Sequence, residues 1–329
     1  MSRTAKTSGV VSIRKADWKR HPISSKDFLS ILDLSPEELE RVLELAAVLK
    51  AERAAGRFTR QPLSGQHVAL LFEKPSLRTR TTFVIAVREL GGEVIEPNAD
   101  VALGGRESVE DVARNLERWV SSAVVRTFAQ ARLEQFAAAA TRLRVVNALT
   151  DEEHPCQALA DMLTLQEKLG DLKGRTLTFV GDGNNVAASL AQAGAMLGMH
   201  VRVASPKGYE LPAHVVDGAR AAAQHGATIT LANDPVTAVA GADAIYTDAW
   251  ASMGQEDQAE VRERVFQSYQ VNEALMAQAG DAALFMHCLP AHRGLEVTDA
   301  VMDAPTSIIF DQAENRLHAQ KALLTLLAG

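Results

Sequence analysis

Short apolar runs alternate with amphipathic segments along most of the chain, and this alternation restricts the possible folds more than any other feature. The apolar runs have the length and composition of buried strands, and segments of helical periodicity follow them. The predicted strands are 67–72, 94–95, 123–126, 145–147, 176–180, 201–204, 228–231, 244–247, 284–287 and 307–310. Such alternation is typical of parallel sheets covered by helices. We therefore predict an α/β fold with two doubly wound parallel-sheet lobes and a ligand site in the cleft between them.

Helix starts are marked by capping residues. Ser35 precedes Pro36 and Glu38, and Ser108 precedes another helical segment, so both serines are predicted N-caps. Further helices are predicted at 83–90, 158–169, 186–197 and 317–327. These bounds leave residues 154–157 in a loop.

Polar residues of unusual type follow the predicted strands. In doubly wound sheets, ligands bind at the carboxyl ends of the strands. The residues in these positions are Ser76, Arg78, Arg126, His154, Asn185, Asp248 and Cys288. We therefore predict one cleft that is cationic on the wall from the first lobe and mixed in character on the wall from the second.

The densest polar stretch, residues 73–83, lies between a predicted strand and a predicted helix. It holds hydroxyl and guanidinium groups on Ser76, Arg78, Thr79, Arg80, Thr81 and Thr82. A helix start offers free N–H groups and the positive end of a dipole, so these groups together predict a site for a small dianion such as phosphate. The alternative is a capped helix start with solvated arginines.

Composition excludes several classes of protein. The 329 residues carry a net charge of −7, which argues against a nucleic-acid surface, and no apolar run has the length of a membrane span. The first ten residues lack the apolar segment of a secretory signal. Cys156 and Cys288 are far apart, which fits a reducing compartment. We expect a cytoplasmic protein that binds neither nucleic acid nor membrane.

The second lobe offers a different kind of site. Residues 181–185, Gly-Asp-Gly-Asn-Asn, resemble the start of a dinucleotide fingerprint, but Val186 takes the third glycine position and no acidic residue ends the next strand. An NAD-dependent oxidoreductase is therefore disfavoured. Asn185 with Asp248, Ser252 and Met253 instead suits an α-amino acid, although Asp248 could also be a helix cap.

The cysteine and histidine residues do not predict a metal centre or a thiol nucleophile. His287 and Cys288 are adjacent in a strand and so point to opposite faces, which disfavours a Cys/His pair. The other histidines considered, His154, His292 and His318, are scattered along the chain. We expect no metal and no cofactor.

Several motifs together resemble the aspartate/ornithine carbamoyltransferase family, over nearly all of the chain after residue 24. They are Ser-Leu-Arg-Thr at 76–79, His-Pro-Cys-Gln at 154–157, Asp-Ala-Trp-Ala-Ser-Met-Gly at 248–254, His-Cys-Leu-Pro at 287–290 and Glu-Asn-Arg at 314–316. The resemblance implies transfer of a carbamoyl group from carbamoyl phosphate to the side-chain amine of L-ornithine, without a cofactor, in a homotrimer or a multiple of it. Two alternatives stay open: another amine acceptor (N-acetylornithine, putrescine or lysine) and a non-catalytic small-molecule-binding protein.

The resemblance also implies roles for individual residues and a division into domains. Carbamoyl phosphate would be bound by Ser76, Leu77, Arg78, Thr79, Arg126, His154, Gln157, Cys288, Leu289 and Arg316. Ornithine would be bound by Asn185, Asp248, Ser252 and Met253, and the catalytic residues would be Arg316, His154, Cys288 and Asp248. The implied domains are residues 1–156, completed by a closing helix at about 311–329, for carbamoyl phosphate, and residues 157–310 for ornithine.

Overall fold

The computed structural model describes residues 22–98, 103, 105–251 and 256–328, and it confirms the α/β fold class. The strands are β1 (His67–Phe72), β2 (Glu93–Ile95), β3 (Ser122–Arg126), β4 (Arg144–Leu149), β5 (Thr176–Val180), β6 (His200–Ala204), β7 (Ile229–Ala232), β8 (Ala244–Thr247) and β9 (Leu284–His287). The helices are α1 (Pro36–Ala54), α2 (Leu77–Glu89), α3 (Val109–Leu116), α4 (Gln130–Ala139), α5 (Pro155–Leu169), α6 (Asn185–Met196), α7 (Ala213–Ala221), α8 (Pro235–Val239), α9 (Ala259–Phe266), α10 (Glu273–Ala279), α11 (Asp299–Met302) and α12 (Ile309–Ala328).

Both sheets have a reversal of strand order at their centre. The first sheet has the order β2-β1-β3-β4 and the second the order β7-β6-β5-β8-β9, and the strand pairs are parallel. The chain therefore leaves β1 and β3 in opposite directions, and it does the same at β5 and β8. Crevices for ligands form outside the carboxyl ends of strands at such reversals. The candidate site therefore lies at the carboxyl ends of β1, β3, β5 and β8.

Two predicted helix caps are confirmed. Ser35 accepts a hydrogen bond from the Glu38 N–H at 3.2 Å, and the Glu38 carboxylate accepts one from the Ser35 N–H at 2.9 Å. Ser108 likewise accepts a hydrogen bond from the Asp111 N–H at 3.1 Å. These bonds satisfy N–H groups that have no partner inside the helix, so the sequence fixes where α1 and α3 begin.

Two other helices begin earlier than their apolar periodicity predicts. Helix α2 begins at Leu77 rather than Phe83, so Arg78 and Thr79 lie in its first turn. Helix α5 begins at Pro155, so residues 155–157 are helical and not in a loop, and His154 is the N-cap. The first turn of α2 carries Arg78 and Thr79, and that of α5 carries Gln157. Apolar periodicity therefore does not mark where these two helices begin.

The predicted strand at 307–310 is wrong. Helix α12 begins at Ile309, and Ser307 forms only an isolated parallel bridge with Phe285 among the described residues. A short apolar run is ambiguous between strand and buried helix. Here Phe310 is 72% exposed, whereas Ile309 is buried, which fits one helical turn with a single face on the core.

The largest apolar cluster extends through both sheets. Helix α12 packs on α1, α2 and α5, and α5 packs on α6, so side chains from both lobes join one core. None of the described helices combines the length and the apolar character needed to cross a bilayer.

Candidate active site

Six residues form what we call the cationic wall: Ser76, Arg78, Thr79, Arg126, His154 and Arg316. Arg126 ends β3, and Arg316 reaches the wall from α12, which follows all the strands in the chain. Arg316 Nη2 donates to Thr79 Oγ1 at 2.7 Å, and Nη1 donates to Gln157 Oε1. The wall therefore combines residues that are widely separated in the sequence.

The three arginines of the wall converge. Burial, together with the neighbouring charges of Arg316 and Arg78, lowers the pKa of Arg126 to about 10. Arg316 is only 2% exposed, and burial lowers its pKa too. The buried Nε atoms of Arg126 and Arg316 have no hydrogen-bond partner among the described residues. Buried cations of this kind are costly unless an anion approaches them, so the wall is suited to bind one.

His154 is held neutral beside these cations. Burial lowers its pKa well below the ordinary value, and the charges of Arg316, Arg126 and Arg78 act in the same direction. Its backbone N–H donates to Ser189 Oγ at 2.9 Å, which fixes the residue at the start of α5. Its ring Nδ1 has no partner within the part of the chain that the structure describes. A neutral imidazole here can donate one N–H to a ligand oxygen.

The opposite side, which we call the Asp248 wall, contains Asn184, Asn185, Asp248, Cys288 and Leu289. Asp248 Oδ1 accepts a hydrogen bond from the Cys288 thiol at 3.0 Å, and Oδ2 accepts one from Asn184 Nδ2 at 2.8 Å. Burial and the charge of Asp248 raise the pKa of Cys288 well above its ordinary value. The thiol therefore stays protonated and donates a hydrogen bond to Asp248.

Comparison with known proteins identifies the family. The profile described as "Aspartate/ornithine carbamoyltransferase, carbamoyl-P binding domain" matches residues 26–167, and that described as "Aspartate/ornithine carbamoyltransferase, Asp/Orn binding domain" matches residues 173–327. The chain belongs to the aspartate/ornithine carbamoyltransferase family. The resemblance that the motifs predict is thereby confirmed.

Individual members of the family match over almost their full length. An ornithine carbamoyltransferase of Anoxybacillus flavithermus is 51% identical over 308 residues, which are 93% of this chain and 97% of the relative. One of Symbiobacterium thermophilum is 50% identical over 307 residues, 93% of this chain and 98% of the relative. The solved structure of ornithine carbamoyltransferase from Pyrococcus furiosus superimposes with a TM-score of 0.89 at 47% identity, covering 93% of this chain and 97% of that one.

Fewer polar side chains of the stretch 73–83 are available to a ligand than the sequence suggests. Arg80 is exposed and pairs with Glu96, and the Thr82 hydroxyl donates to the Arg78 carbonyl at 2.8 Å. Thr81 is exposed as well. Ser76 is the N-cap of α2, and its side chain caps none of the N–H groups of the first turn, all of which is described. The cradle thus reduces to the Ser76 and Thr79 hydroxyls, the Arg78 side chain and the helix start.

The two asparagines of the turn before α6 make different contacts. Asn185 Nδ2 donates to the Thr150 carbonyl at 2.5 Å, whereas the amide that reaches Asp248 belongs to Asn184, which sequence reasoning did not single out. Asn184 also caps α6, because its Oδ1 accepts hydrogen bonds from the N–H groups of residues 186 and 187. Asn184 lies two residues before the helix predicted at 186–197, so its cap position is evident only from the observed start of α6 at Asn185. Ser252 and Met253 lie outside the described residues.

The family's cysteine loop is held from behind by His287. Its Nδ1 accepts the Leu289 N–H at 2.9 Å, and its Nε2 lies 3.2 Å from Glu296 Oε1. Leu289 has a φ of 60°, a conformation that this anchoring maintains. Donor atoms of Asp248, His287 and Cys288 lie within 4.8 Å of one another, but both ring nitrogens of His287 are already engaged. This trio is therefore poorly suited to hold a metal ion.

Proposed function

We propose that the chain is an ornithine carbamoyltransferase. It transfers the carbamoyl group of carbamoyl phosphate to the side-chain amine of L-ornithine and releases L-citrulline and phosphate. The observation that carries this proposal is the convergence of Arg78, Arg126 and Arg316 opposite the hydrogen-bonded pair of Asp248 and Cys288. The relatives at about 50% identity support it, since they are named for this activity.

The cationic wall binds carbamoyl phosphate. Ser76, the Leu77 N–H, Arg78, Thr79 and Arg126 bind the phosphate group, which fits the position of these residues at the start of α2 and the end of β3. Arg316, His154 and Thr79 face the carbonyl oxygen. Gln157 and the backbone of Cys288 and Leu289 accept hydrogen bonds from the carbamoyl NH₂ group.

The Asp248 wall binds L-ornithine. Asp248 and the protonated thiol of Cys288 flank the side-chain amine, while Asn185, Ser252 and Met253 bind the amino-acid end. An alkylammonium group has a pKa of about 10.4, so at pH 7 only about one amine in a few thousand is neutral, a handicap of about 4 to 5 kcal/mol. Asp248 and Cys288 orient the amine toward the carbonyl carbon, and the departing phosphate accepts the proton that the amine must lose.

The reaction exchanges one bond at the carbonyl carbon. The amine nitrogen forms a bond to carbon, the carbon–oxygen bond to phosphate breaks, and the departing phosphate accepts the proton that the amine loses. The tetrahedral intermediate carries an oxyanion, which Arg316, His154 and Thr79 stabilise. Removing one such donor typically costs about 3 to 4 kcal/mol of transition-state stabilisation. Alignment of the two substrates across the cleft supplies much of the remaining acceleration.

The same proposal covers the organisation of the protein. Residues 1–156 with the closing helix at about 311–329 bind carbamoyl phosphate, and residues 157–310 bind ornithine. The position of Arg316 on α12, against Thr79 of the first lobe, supports this division. The protein acts in the cytoplasm as a homotrimer or a multiple of it, as the family resemblance implies.

The direct test is an assay with carbamoyl phosphate and a panel of amines: L-ornithine, N-acetylornithine, putrescine and lysine. We expect citrulline from ornithine and little ureido product from the others. A different ureido product would change the acceptor. Absence of any product, together with stabilisation of the fold by carbamoyl phosphate, would favour the non-catalytic binding protein.

Two arginines of one helix provide a matched pair of variants. Arg78→Gln removes a guanidinium from the cationic wall, whereas Arg80→Gln removes one that pairs with Glu96 at the surface. We expect Arg78→Gln to raise the KM for carbamoyl phosphate by about tenfold to a hundredfold, the effect of losing a charge-assisted hydrogen bond, and Arg80→Gln to change it less than about twofold. If the two substitutions raised this KM equally, the assignment of Arg78, and not Arg80, to the cationic wall would be wrong.

A further inference from the structure

The side-chain amide of Gln157 lies between a donor and an acceptor. Its Oε1 accepts from Arg316 Nη1, and its Nε2 donates to Asp161 Oδ1 at 2.7 Å. Gln157 is 1% exposed and Asp161 is fully buried, so water does not compete for these bonds. Gln157 and Asp161 are four residues apart on α5 and therefore lie on the same face of the helix. Rotation of the amide by 180° would place its NH₂ group against a guanidinium.

Asp161 is itself fixed by two further donors. Gln312 Nε2 donates to the same Oδ1 at 2.9 Å, and the Tyr246 hydroxyl donates to Oδ2 at 3.1 Å. The Gln312 oxygen accepts the His287 N–H at 3.0 Å, so its amide orientation is also defined. Burial raises the pKa of Asp161 to about 6, and the three donors act in the opposite direction. At neutral pH the side chain is therefore a carboxylate that can only accept hydrogen bonds.

Groups that face a carbamoyl ligand are mostly donors. Arg316, Thr79 and the neutral His154 can donate to the carbonyl oxygen, whereas the carbamoyl NH₂ group needs an acceptor. Gln157 Oε1 supplies that acceptor in the orientation that Asp161 and Arg316 impose together. An acetyl group has a methyl in place of the NH₂ group and would leave this oxygen without its partner, so the orientation of this amide favours the carbamoyl group over the acetyl group.

We propose that Asp161 is a positioning residue that keeps the Gln157 oxygen turned toward the carbamoyl NH₂ group and thereby gives the site its preference for carbamoyl over acetyl. This inference rests on the proposed function and deepens it, because it names the structural source of donor-substrate specificity. Asp161 does not contact the substrate and acts through Gln157.

The test uses two stable ligands that differ in one group. Phosphonoacetamide and 2-oxopropylphosphonate share a phosphonate and a carbonyl, but the first carries NH₂ where the second carries CH₃. Their dissociation constants are measured by calorimetry for the parent protein and for four variants. The ratio of the two dissociation constants is the informative quantity. Both ligands carry the same phosphonate group, so a substitution that changes only phosphonate binding leaves this ratio unchanged.

Asp161→Ser is the decisive variant. Its shorter side chain leaves room for water, which can donate as well as accept, so that only Arg316 still favours the parent orientation of the Gln157 amide. We expect the preference for phosphonoacetamide to fall by about fivefold to tenfold, the typical effect of one neutral hydrogen bond, with the affinity for 2-oxopropylphosphonate changed less than about twofold. Asp161→Leu, which offers no hydrogen-bonding group, is the second variant and should lower the preference similarly.

Two controls retain the Gln157 orientation. In Asp161→Asn the amide oxygen can still accept from Gln157 and Gln312, while its NH₂ group donates to the rotatable hydroxyl of Tyr246. Tyr246→Phe removes one donor to Asp161 and leaves its bond to Gln157. Both controls should keep the parent preference within about twofold, given that neither loses the acceptor that faces Gln157.

Several outcomes would overturn the inference. They are an unchanged ligand ratio in Asp161→Ser and Asp161→Leu, an equal loss of affinity for both ligands, and a parent protein that does not discriminate between them. An equal loss would show that Asp161 only supports the fold. Failure of the parent to make citrulline would instead refute the proposed function, so the two failures can be told apart.

Discussion

The cationic wall and the Asp248 wall treat charge in opposite ways. On the cationic wall, Arg126 and Arg316 are buried with Nε atoms that have no partner among the described residues. On the Asp248 wall, both carboxylate oxygens of Asp248 accept hydrogen bonds, from Cys288 and Asn184. The first wall thus gains a partner when an anion binds. The second wall has donors on both oxygens of its carboxylate before the amine arrives.

This difference shows where the protein gives up stability for function. Buried cations without a counter-charge lower the free energy of unfolding, whereas a hydrogen-bonded carboxylate costs much less. An anionic substrate removes the cost on the cationic wall, and so its binding is coupled to the stability of the fold. The Asp248 wall has no comparable free-energy cost that substrate binding could remove. Three experiments test this contrast.

The largest expected effect is on Arg316, the most deeply buried cation of the wall. Arg316→Ala removes a donor to the oxyanion, and we expect kcat for citrulline formation to fall on the order of 10³-fold, about 4 kcal/mol of transition-state stabilisation. Arg316→Lys keeps the positive charge but lacks the planar guanidinium group with its several donors, so it should recover only part of the rate. A kcat within a few-fold of the parent value for Arg316→Ala would refute its assigned role.

An intermediate effect is expected on the opposite wall. Asp248→Asn replaces a charged acceptor of the amine by a neutral one, and the KM for L-ornithine should rise by about tenfold. The dissociation constant of phosphonoacetamide, measured without ornithine, should stay within about twofold, because the cationic wall is unchanged. If both constants rose together, the two walls would not be separate binding surfaces.

The smallest effect is on stability against acid. His154 takes up a proton in the unfolded chain as the pH falls through 6.5, but its lowered pKa prevents this in the folded protein. The free energy of unfolding should therefore decrease on acidification, and at pH 5.5 this single residue accounts for about 1.4 kcal/mol. His154→Gln lacks this contribution.

Chemical unfolding of both proteins in phosphate-free buffer measures the difference. The free energy of unfolding of the parent, minus that of His154→Gln, should drop by about 1.4 kcal/mol between pH 7.5 and pH 5.5. Other titrating groups are common to both proteins and cancel in this comparison. A constant difference across the range would mean that His154 is not held neutral.

The sequence predicts the fold well because strand periodicity and cap chemistry are local properties. Strands β1, β5, β8 and β9 lie where the apolar runs place them, and Ser35 begins its helix as its capping pattern indicates. The strand predicted at 307–310 fails because four apolar or small residues cannot distinguish a strand from a helical turn.

Details of the site depend on information that is not local. Arg80 and Arg78 look alike in the sequence, but only the helical geometry of α2 shows that Arg80 turns away to Glu96. The choice between Asn184 and Asn185 follows from the exact start of α6. Pro155 occupies the first helical position of α5, where proline is common, and so marks the start of this helix in the sequence. The hydrogen bond from Gln157 to Asp161 can be interpreted only in the folded structure, where Arg316 donates to the other end of the same amide.

The hydrogen bond between Arg316 and Thr79 joins residues that are 237 positions apart in the chain. Contacts of such long range form late in folding, since the entropy of closing the loop must be overcome before the contact can contribute. A polypeptide that has built only its first sheet therefore carries the anion cradle without the guanidinium that completes it. The cationic wall is thus complete only when α12 has packed against α2, and a single helix–helix contact joins the end of the chain to the residues that follow its first strand.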